Sequence, residues 1–347
     1  MSLETFIRTM PKVELHVHLE GSIRPKTLLK LARRNNITLP ARTLEQLREF
    51  YRFTDFAHFI QVYATIINCL QTPDDFALIA EEFGATMAEQ NIRYAEITWS
   101  PVTHVGRLGI PFRELLAGVN RGRAAAREKH GVEMRWIVDI VRNLHAKGFD
   151  GMETAEMAVE GRDQGVIALG LGGMEQGFPP ELFTAAFDYA IANGLHSVPH
   201  AGEAAGADSV WGAIRALKAE RIGHGIRSIE DPALIDELRA RQIPLEVCPT
   251  SNVCTAVVAD LAAHPIRQFY DAGVYITVNS DDPPMFNTTL TNEYMQLASR
   301  LGFDAAAIER LVLNGLRAAL LDAETKQTLE ASFRAEFGQL RAMHLRA

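Results

Sequence analysis

Cysteine is scarce in this sequence, and the few cysteines fall into no recognisable motif. Cys69, Cys248 and Cys254 form neither a CxxC pair nor an even-numbered framework. This spacing argues against a disulfide scaffold and against a zinc site built on thiolates. Because such a composition suits a reducing compartment, we expect the protein to act in the cytoplasm.

Long apolar runs and an excess of basic charge are also absent. No apolar stretch approaches the length of a membrane span, and the first residues lack the basic and apolar regions of a secretory signal. The formal net charge of −8 gives little attraction for a nucleic-acid backbone or an anionic membrane surface. We therefore expect a small-molecule partner, with no nucleic acid and no membrane.

Short apolar or β-branched runs recur along the 347 residues and are mostly separated by segments of helical length. We predict eight strands, at residues 12–20, 93–101, 133–141, 166–173, 195–203, 221–226, 244–252 and 274–283. Eightfold alternation of strand and helix is typical of a (β/α)8 TIM barrel, which carries its functional groups at the carboxyl ends of the strands. A doubly wound sheet is the alternative, but no GxGxxG or Walker loop follows the first strand.

Two regions of the chain are additional to the eight strand–helix repeats of a barrel. Residues 21–92 are predicted to form a mostly helical insertion after the first strand, and the chain beyond residue 282 is predicted to form further helices. We find no repeats or low-complexity tracts, so residues 1–347 are expected to form a single domain. An insertion at this position either walls or covers the site at the barrel mouth, or packs only on the side of the barrel.

Ionisable residues at the predicted strand ends form the strongest pattern. His16 and His18 lie two residues apart on the first strand, so their side chains share one face of the sheet. Others end the later strands: His200, Glu203, His224, Asp281 and Asp282. A barrel brings these ends into one mouth, where imidazoles and a carboxylate would surround one divalent ion, with Zn²⁺ preferred.

The fourth strand predicts the number of metal ions. Barrel hydrolases with two metals commonly bridge them with a modified lysine or a carboxylate there, and here the strand ends in GLGG, residues 170–173. We therefore expect a mononuclear site, which leaves Glu203 and His224 for proton handling. An ion lowers the pKa of a water beside it from ~15.7 toward ~7, and a nearby histidine can take the proton or hold the hydroxide.

Five motifs give the sequence a resemblance to a known family. PKVELHVHLEGSI, HAGE, RIGHG, EVCPTSN and NSDDP occur in this order along nearly the whole chain. With these motifs the sequence resembles the adenosine deaminase family of metal-dependent purine deaminases, a branch of the amidohydrolase barrels. The resemblance implies hydrolytic deamination at C6 of an adenine nucleoside, with release of ammonia.

The resemblance also implies a role for each site residue. Four residues would bind one zinc ion: His16, His18, His200 and Asp281. Glu203 would protonate purine N1, and His224 would orient and deprotonate the attacking water. Asp282 would contact N7 through one shared proton, since both groups are otherwise acceptors, and the backbone of Gly173 would contact N3.

The departures from the family pattern lie on the ribose side. Many adenosine deaminases have an aspartate where this chain has Glu20, and that aspartate binds the nucleoside 5′-hydroxyl. Residues 170–177, GLGGMEQG, lack the Ala-Gly-Asp that precedes the matching glutamate, here Glu175, although Gly173 is kept. Relatives with glutamate in place of the aspartate include enzymes for free adenine, 5′-methylthioadenosine and 6-aminodeoxyfutalosine, the last in menaquinone biosynthesis.

Three functions remain as alternatives. We predict a deaminase of adenine nucleosides in which Glu20 turns aside, so that the 5′ end opens toward Phe56, Phe59 and Ile60 of the insertion. If Glu20 crowds the ribose instead, only the base fits and the enzyme deaminates free adenine. A catalytically silent binding or sensor protein is disfavoured, because no predicted ligand or acid is missing.

Overall fold

Eight parallel strands form the centre of the protein in a computed structural model, which describes residues 2–345. The strands are β1 Lys12–His18, β2 Ile92–Trp99, β3 Glu133–Val141, β4 Val166–Gly172, β5 His196–Ala201, β6 Ile222–His224, β7 Leu245–Val247 and β8 Ile276–Val278. Each strand pairs in parallel with the next one along the chain. The (β/α)8 barrel and its eight strands are therefore confirmed, whereas residues 249–252 of the predicted seventh strand are helical.

The barrel closes through a residue that lies beyond the last strand. The backbone N–H of Asp281 donates to the carbonyl of His16 at 3.0 Å, and its carbonyl accepts from the N–H of His18 at 3.0 Å. These two bonds form a parallel bridge between the carboxyl end of β1 and the segment after β8. Barrel closure therefore places Asp281 directly beside β1.

Helices surround the strands. They are α1 Leu3–Thr9, α2 Pro25–Arg34, α3 Leu44–Phe50, α4 Phe56–Ile67, α5 Pro73–Glu89, α6 Pro101–Leu108, α7 Phe112–His130, α8 Met152–Glu160, α9 Thr184–Ala192, α10 Ala207–Arg215, α11 Pro232–Arg241, α12 Pro249–Cys254, α13 Ile266–Ala272, α14 Leu290–Leu301, α15 Ala305–Ala318 and α16 Ala323–His344. The sequence carries their start signals: α5 begins with a capping box between Thr72 and Asp75 and has Pro73 in its first turn. No helix among residues 2–345 is both long and apolar enough to span a bilayer.

The predicted insertion, residues 21–92, contains two kinds of helix. Its last helix, α5, packs along α7 and against β2, which is the position of the barrel helix between the first two strands. The extra structure is therefore limited to α2, α3 and α4, and α4 lines the cavity at the carboxyl end of the barrel. At the other end of the chain, α15 packs on β1 and β8 and completes the ring of helices.

A buried chain of charges crosses the barrel interior. The Arg221 guanidinium lies between two carboxylates, with Nη2 2.6 Å from Oε2 of Glu96 and Nε 2.6 Å from Oε1 of Glu246. The Tyr94 hydroxyl also donates to Glu96, at 2.9 Å. Because one cation serves two buried anions, strands β2, β6 and β7 are joined through their side chains as well as their backbones.

Removal of Arg221 tests this network. The Arg221→Leu variant leaves two buried carboxylates without a cation, and we expect it to lower the free energy of unfolding by about 3–5 kcal/mol. Arg93→Leu is the matched control, because Arg93 pairs with Glu336 at the surface and such pairs contribute about 0.2–1 kcal/mol. Urea unfolding of both variants provides the measurement, and equal losses would contradict a special role for Arg221.

Candidate active site

The carboxyl ends of the strands open into a cavity of about 230 Å³. The predicted site residues that line it are His18, Glu20, Gly173, His200, Glu203, His224, Asp281 and Asp282. His16 lies just behind them, with its ring centroid 4.5 Å from that of His200 and 4.7 Å from that of His224. The fold therefore brings all the residues predicted at the strand ends into one place.

Three imidazoles and one carboxylate converge at the floor of the cavity. Nε2 of His18 lies 3.2 Å from Nε2 of His200 and 3.3 Å from Oδ1 of Asp281. Nε2 of His16 lies 3.6 Å from the same carboxylate oxygen. Donor atoms held at ~2.0–2.1 Å around a tetrahedral zinc ion are about 3.3 Å apart, so this spacing fits one divalent ion.

The orientation of His16 supports the same conclusion. Its Nδ1 lies 2.9 Å from Oε2 of Glu246, and because a carboxylate only accepts, Nδ1 carries the proton. Nε2 is then an unprotonated lone pair, and it is buried without a hydrogen-bond partner among the described residues. A buried lone pair whose ring is oriented by a carboxylate is the usual arrangement of a metal-binding histidine.

Asp281 is held in an unusual conformation with one oxygen free. Ser251 Oγ donates to Oδ2 of Asp281 at 2.6 Å, which leaves Oδ1 facing the histidines. The φ of Asp281 is 64° and that of His224 is 59°, in the left-handed region that non-glycine residues seldom occupy. Backbone strain of this kind concentrates at functional sites, where the surrounding structure holds it in place.

Glu203 lies on a short loop after β5, and a second glutamate holds this loop in place through hydrogen bonds. The carboxylate of Glu175 accepts from the N–H groups of Gly202 at 2.6 Å, Ala204 at 2.7 Å and Ala205 at 2.7 Å. Burial, followed by the charges of Asp281 and Glu175, raises the pKa of Glu203 well above its usual range. The shift favours the protonated form of Glu203, which can donate a proton.

His224 faces the same floor from β6. Its Nε2 lies 3.6 Å from Oε2 of Glu203 and 3.8 Å from Oδ2 of Asp281. Burial lowers the pKa of His224 to about 3, so the ring is neutral. His224 also lies near enough to His16 and Asp281 to form an alternative group of metal ligands.

Asp282 depends on a glycine for its position. A Cβ atom at Gly21 would lie 1.5 Å from Oδ1 of Asp282, so no other residue fits there. Burial and the neighbouring charge of Asp281 raise the pKa of Asp282 well above its usual range. Its Oδ1 is buried without a hydrogen-bond partner in the described part of the chain, and a protonated acid in this position can donate to a ligand acceptor.

Glu20 is anchored at the start of α6. Its Oε1 accepts from the backbone N–H of Ser100 at 3.2 Å and lies 3.1 Å from Nε2 of His104. Arg107 donates to Nδ1 of His104 at 3.2 Å, so the His104 proton is on Nε2 and points at Glu20. Burial opposes the charge of Glu20, but the hydrogen bonds from His104 and Ser100 outweigh it and lower its pKa.

One side of the cavity is apolar. The helix α4, the end of β3 and the segment after β3 supply it: Phe56, Phe59, Ile60, Tyr63, Ala64, Ile67, Val141 and Leu144. The insertion therefore walls the cavity, and the three apolar residues that were predicted to cover a 5′ substituent all lie there. Of the two positions considered for the insertion, the structure has the one at the barrel mouth.

Asp139, on β3, lines the cavity but was missed in the sequence. Burial raises its pKa to about 8. A Cβ atom at Gly170 or Gly172 would lie 2.5 Å or 2.2 Å from its carboxylate oxygens, so the GLGG run provides the room for this side chain. The one available signal was an acidic residue in the otherwise apolar end of that strand, WIVDIV. Glu175, His104 and Arg107 were given no role either, because their partners lie far away in sequence.

Comparison with known proteins identifies one matching family and similar proteins that are named as deaminases. The family model for adenosine deaminase matches residues 11–335. The aminodeoxyfutalosine deaminase of Streptomyces coelicolor is 44% identical over 326 residues, which cover 93% of this chain and 84% of that protein. The adenine deaminase of Cupriavidus necator is 39% identical over 320 residues, which cover 92% and 90%.

A solved structure agrees with these relatives. The crystal structure of an amidohydrolase from Burkholderia ambifaria with bound zinc has a TM-score of 0.86 at 28% identity, and the match covers 98% of this chain and 94% of that one. The family is metal-dependent, and the histidines and the aspartate of the cavity floor form groups that can bind a metal. The chain thus belongs to the adenosine deaminase family and is a hydrolytic deaminase.

Proposed function

We propose that this chain uses one Zn²⁺ ion to deaminate adenine nucleosides at C6 and that it accepts nucleosides with an enlarged 5′ substituent. The observation that carries the proposal is the cavity itself, which is lined by the histidines and Asp281 of its floor, by two acids with raised pKa values, Glu203 and Asp282, and by an apolar wall. Relatives named aminodeoxyfutalosine deaminase and adenine deaminase support an adenine-containing substrate.

The proposed metal ligands are the four residues of the cavity floor, His16, His18, His200 and Asp281. When bound, a divalent ion supplies positive charge that lowers the pKa of an adjacent water molecule. His224 faces the same space and holds the water oxygen in line with C6. Glu203 donates its proton to purine N1 as the oxygen adds to C6, which stabilises the charge that moves onto the ring. When the C6–N6 bond then breaks, the hydroxyl proton leaves with the amino group as ammonia, C6 becomes a carbonyl, N1 keeps its proton, and the proton that the water gave up restores Glu203.

Two further groups hold the purine in this proposal. Protonated Asp282 donates to N7, which is an acceptor, and so supplies the shared proton that the contact requires. The backbone of Gly173, with a φ of 82°, lines the cavity and is assigned to N3. With the base held at three atoms, C6 faces the metal-binding floor and the sugar points away from it.

In this proposal the residues around the ribose and its 5′ substituent set the substrate preference. One oxygen of Glu20 is already bound by Ser100 and His104, and this supports the prediction that Glu20 turns aside from the ribose. A free base would leave the apolar wall of α4 uncovered, whereas a 5′ substituent gains ~25 cal/mol for each Å² of apolar area that it buries. 5′-Methylthioadenosine and 6-aminodeoxyfutalosine are the proposed substrates of this kind, the latter in menaquinone biosynthesis.

Free adenine is the second candidate substrate, favoured by the Cupriavidus necator relative that is named adenine deaminase. In either case the proposed partner is a small molecule and the proposed location is the cytoplasm. The cavity of about 230 Å³ suits a small molecule such as a nucleoside, and the net charge of −8 gives no attraction for nucleic acid.

The first prediction concerns the metal. The purified protein is expected to hold close to one zinc ion per chain, and His18→Ala or Asp281→Ala should lose both the metal and the activity. His196→Ala is the control, because His196 pairs with Glu220 at the surface and should leave both unchanged. Elemental analysis with parallel rate measurements provides the test. Two tightly bound metals in an active enzyme would refute the mononuclear site.

The second prediction concerns the proton donor. Glu203→Gln keeps the shape of the side chain but cannot deliver a proton, so we expect kcat to fall by ~10²–10⁴ while the metal is retained. Glu114→Gln, an exposed position on α7, is the control for loss of a carboxylate. If Glu203→Gln deaminates within about tenfold of the parent at neutral pH, another residue is the acid.

The third prediction concerns the substrate. We expect kcat/KM for 5′-methylthioadenosine and 6-aminodeoxyfutalosine to equal or exceed that for adenosine, and free adenine to be much poorer. All four compounds are compared on one preparation. A clear preference for adenine would select the second candidate, and a strong preference for unmodified adenosine would show that Glu20 serves the 5′-hydroxyl.

The variant Ile60→Ala links that preference to the apolar wall. Ile60 faces the cavity from α4. Its truncation to alanine removes apolar contact that contributes about 1 kcal/mol to binding of a nucleoside with an apolar 5′ group, so kcat/KM for that nucleoside should fall about fivefold. The rate with free adenine should stay unchanged, because in this proposal Ile60 contacts the 5′ substituent and not the base. An equal loss for both substrates would argue that Ile60 only supports the fold.

A further inference from the structure

A row of buried polar side chains lies behind His224, on the side away from the cavity. Nδ1 of His224 lies 3.2 Å from Nδ2 of Asn252, which is on α12. Oδ1 of Asn252 lies 3.0 Å from Nε2 of His264, and Nδ1 of His264 accepts from the backbone N–H of Ile266 at 3.1 Å. The three side chains are 0–2% exposed. None of the roles proposed above uses Asn252 or His264.

The direction of every hydrogen bond in this row follows from its last member. Ile266 begins α13, and the first N–H groups of a helix have no partner within the helix. A backbone N–H can only donate, so Nδ1 of His264 must present a lone pair. The proton of neutral His264 is then on Nε2, and burial, which lowers the pKa of His264 to about 4, keeps the ring neutral.

The same reasoning passes through Asn252 to His224. Because Nε2 of His264 donates, the atom of Asn252 that faces it must be the amide oxygen, and the amide nitrogen must face His224. That nitrogen is a donor, so Nδ1 of His224 presents a lone pair. We propose that Asn252 and His264 are positioning residues that fix His224 in the neutral tautomer with its proton on Nε2.

This tautomer decides what His224 does at the reaction centre, and the inference therefore rests on the proposed function. Oε2 of Glu203 at 3.6 Å and Oδ2 of Asp281 at 3.8 Å lie near Nε2 of His224, and the Asp281 carboxylate is an acceptor that suits a donor at this position. With its proton on Nε2, His224 donates a hydrogen bond to the attacking oxygen and aims it at C6. It holds that oxygen rather than taking a proton from it.

The first experiment reads the tautomer directly. The zinc-loaded protein, labelled with ¹⁵N in its histidine rings, is studied by long-range proton–nitrogen correlation, and spectra of His224→Gln and His264→Gln assign the two rings. We expect Nε2 to be protonated in both His224 and His264 of the parent protein. A parent protein with its His224 proton on Nδ1 would overturn the proposal, whatever its activity.

The second experiment uses the Asn252→Asp variant to reverse the direction of the hydrogen bond between residue 252 and His224. A carboxylate accepts from both neighbours, so His224 must donate from Nδ1 and loses its Nε2 donor in the neutral form. We expect kcat to fall by about 10²–10⁴-fold with zinc retained. KM should change little, because Asn252 does not line the cavity. Asn120→Asp, far from the cavity on α7, is the matched control and should keep its kcat.

Two substitutions of His264 separate positioning from simple support of the fold. Gln in place of His264 can still donate to Asn252 and accept from Ile266, so His264→Gln should stay within about tenfold of the parent kcat. Leu can do neither, and His264→Leu should lose activity in the manner of Asn252→Asp while its zinc content stays unchanged. Equal kcat values in the two variants, or a loss that appears only in KM, would overturn the proposal.

The failure of this inference can be told apart from the failure of the proposed function. A parent protein that releases no ammonia from any adenine compound, but shows the Nε2 proton on His224, refutes the function and leaves the tautomer assignment intact. An active parent with the opposite tautomer refutes the positioning role and leaves the deaminase assignment intact.

Discussion

The contact that closes the barrel is the constraint on which the active site depends. Two backbone hydrogen bonds hold Asp281 against the end of β1, each at 3.0 Å. The carboxylate of Asp281 must then lie beside the two histidines of that strand, which share one face because side chains alternate. The left-handed backbone at Asp281, with a φ of 64°, is tolerated because closure and the Ser251 hydrogen bond hold it from both sides.

Burial controls the protonation states around this contact. Several carboxyl groups share a small volume of low dielectric, where only those with a compensating partner can remain charged. Glu246 has Arg221 and His16 as partners and stays ionised, and so it can orient His16, a proposed metal ligand. Glu203 and Asp282 pair with no lysine or arginine among residues 2–345, and burial shifts both toward the protonated form that proton donation requires.

The residues that meet at the barrel mouth could be predicted from the sequence, but many of the residues that orient them could not. His16 and His18 are visible because a strand repeats every two residues, and the other strand ends follow from eight short apolar runs. Glu175 holds the loop of Glu203 from a position 27 to 30 residues away, and nothing local marks it for that role. The predicted insertion likewise merged α5, a barrel helix, with α2 to α4, since amphipathic periodicity does not tell which surface a helix packs on.

The sequence by itself determined the strand and helix alternation, the barrel, and the set of groups that meet at its mouth, because these depend on local periodicity and on a topology that collects strand ends. Only the tertiary structure decided the direction of hydrogen bonds and the position of Glu20. Glu20 is anchored by Ser100 and His104, and the proton of His224 is assigned through Asn252 and His264. Such assignments depend on which donor lies within about 3 Å of which acceptor, and folding alone brings those atoms together.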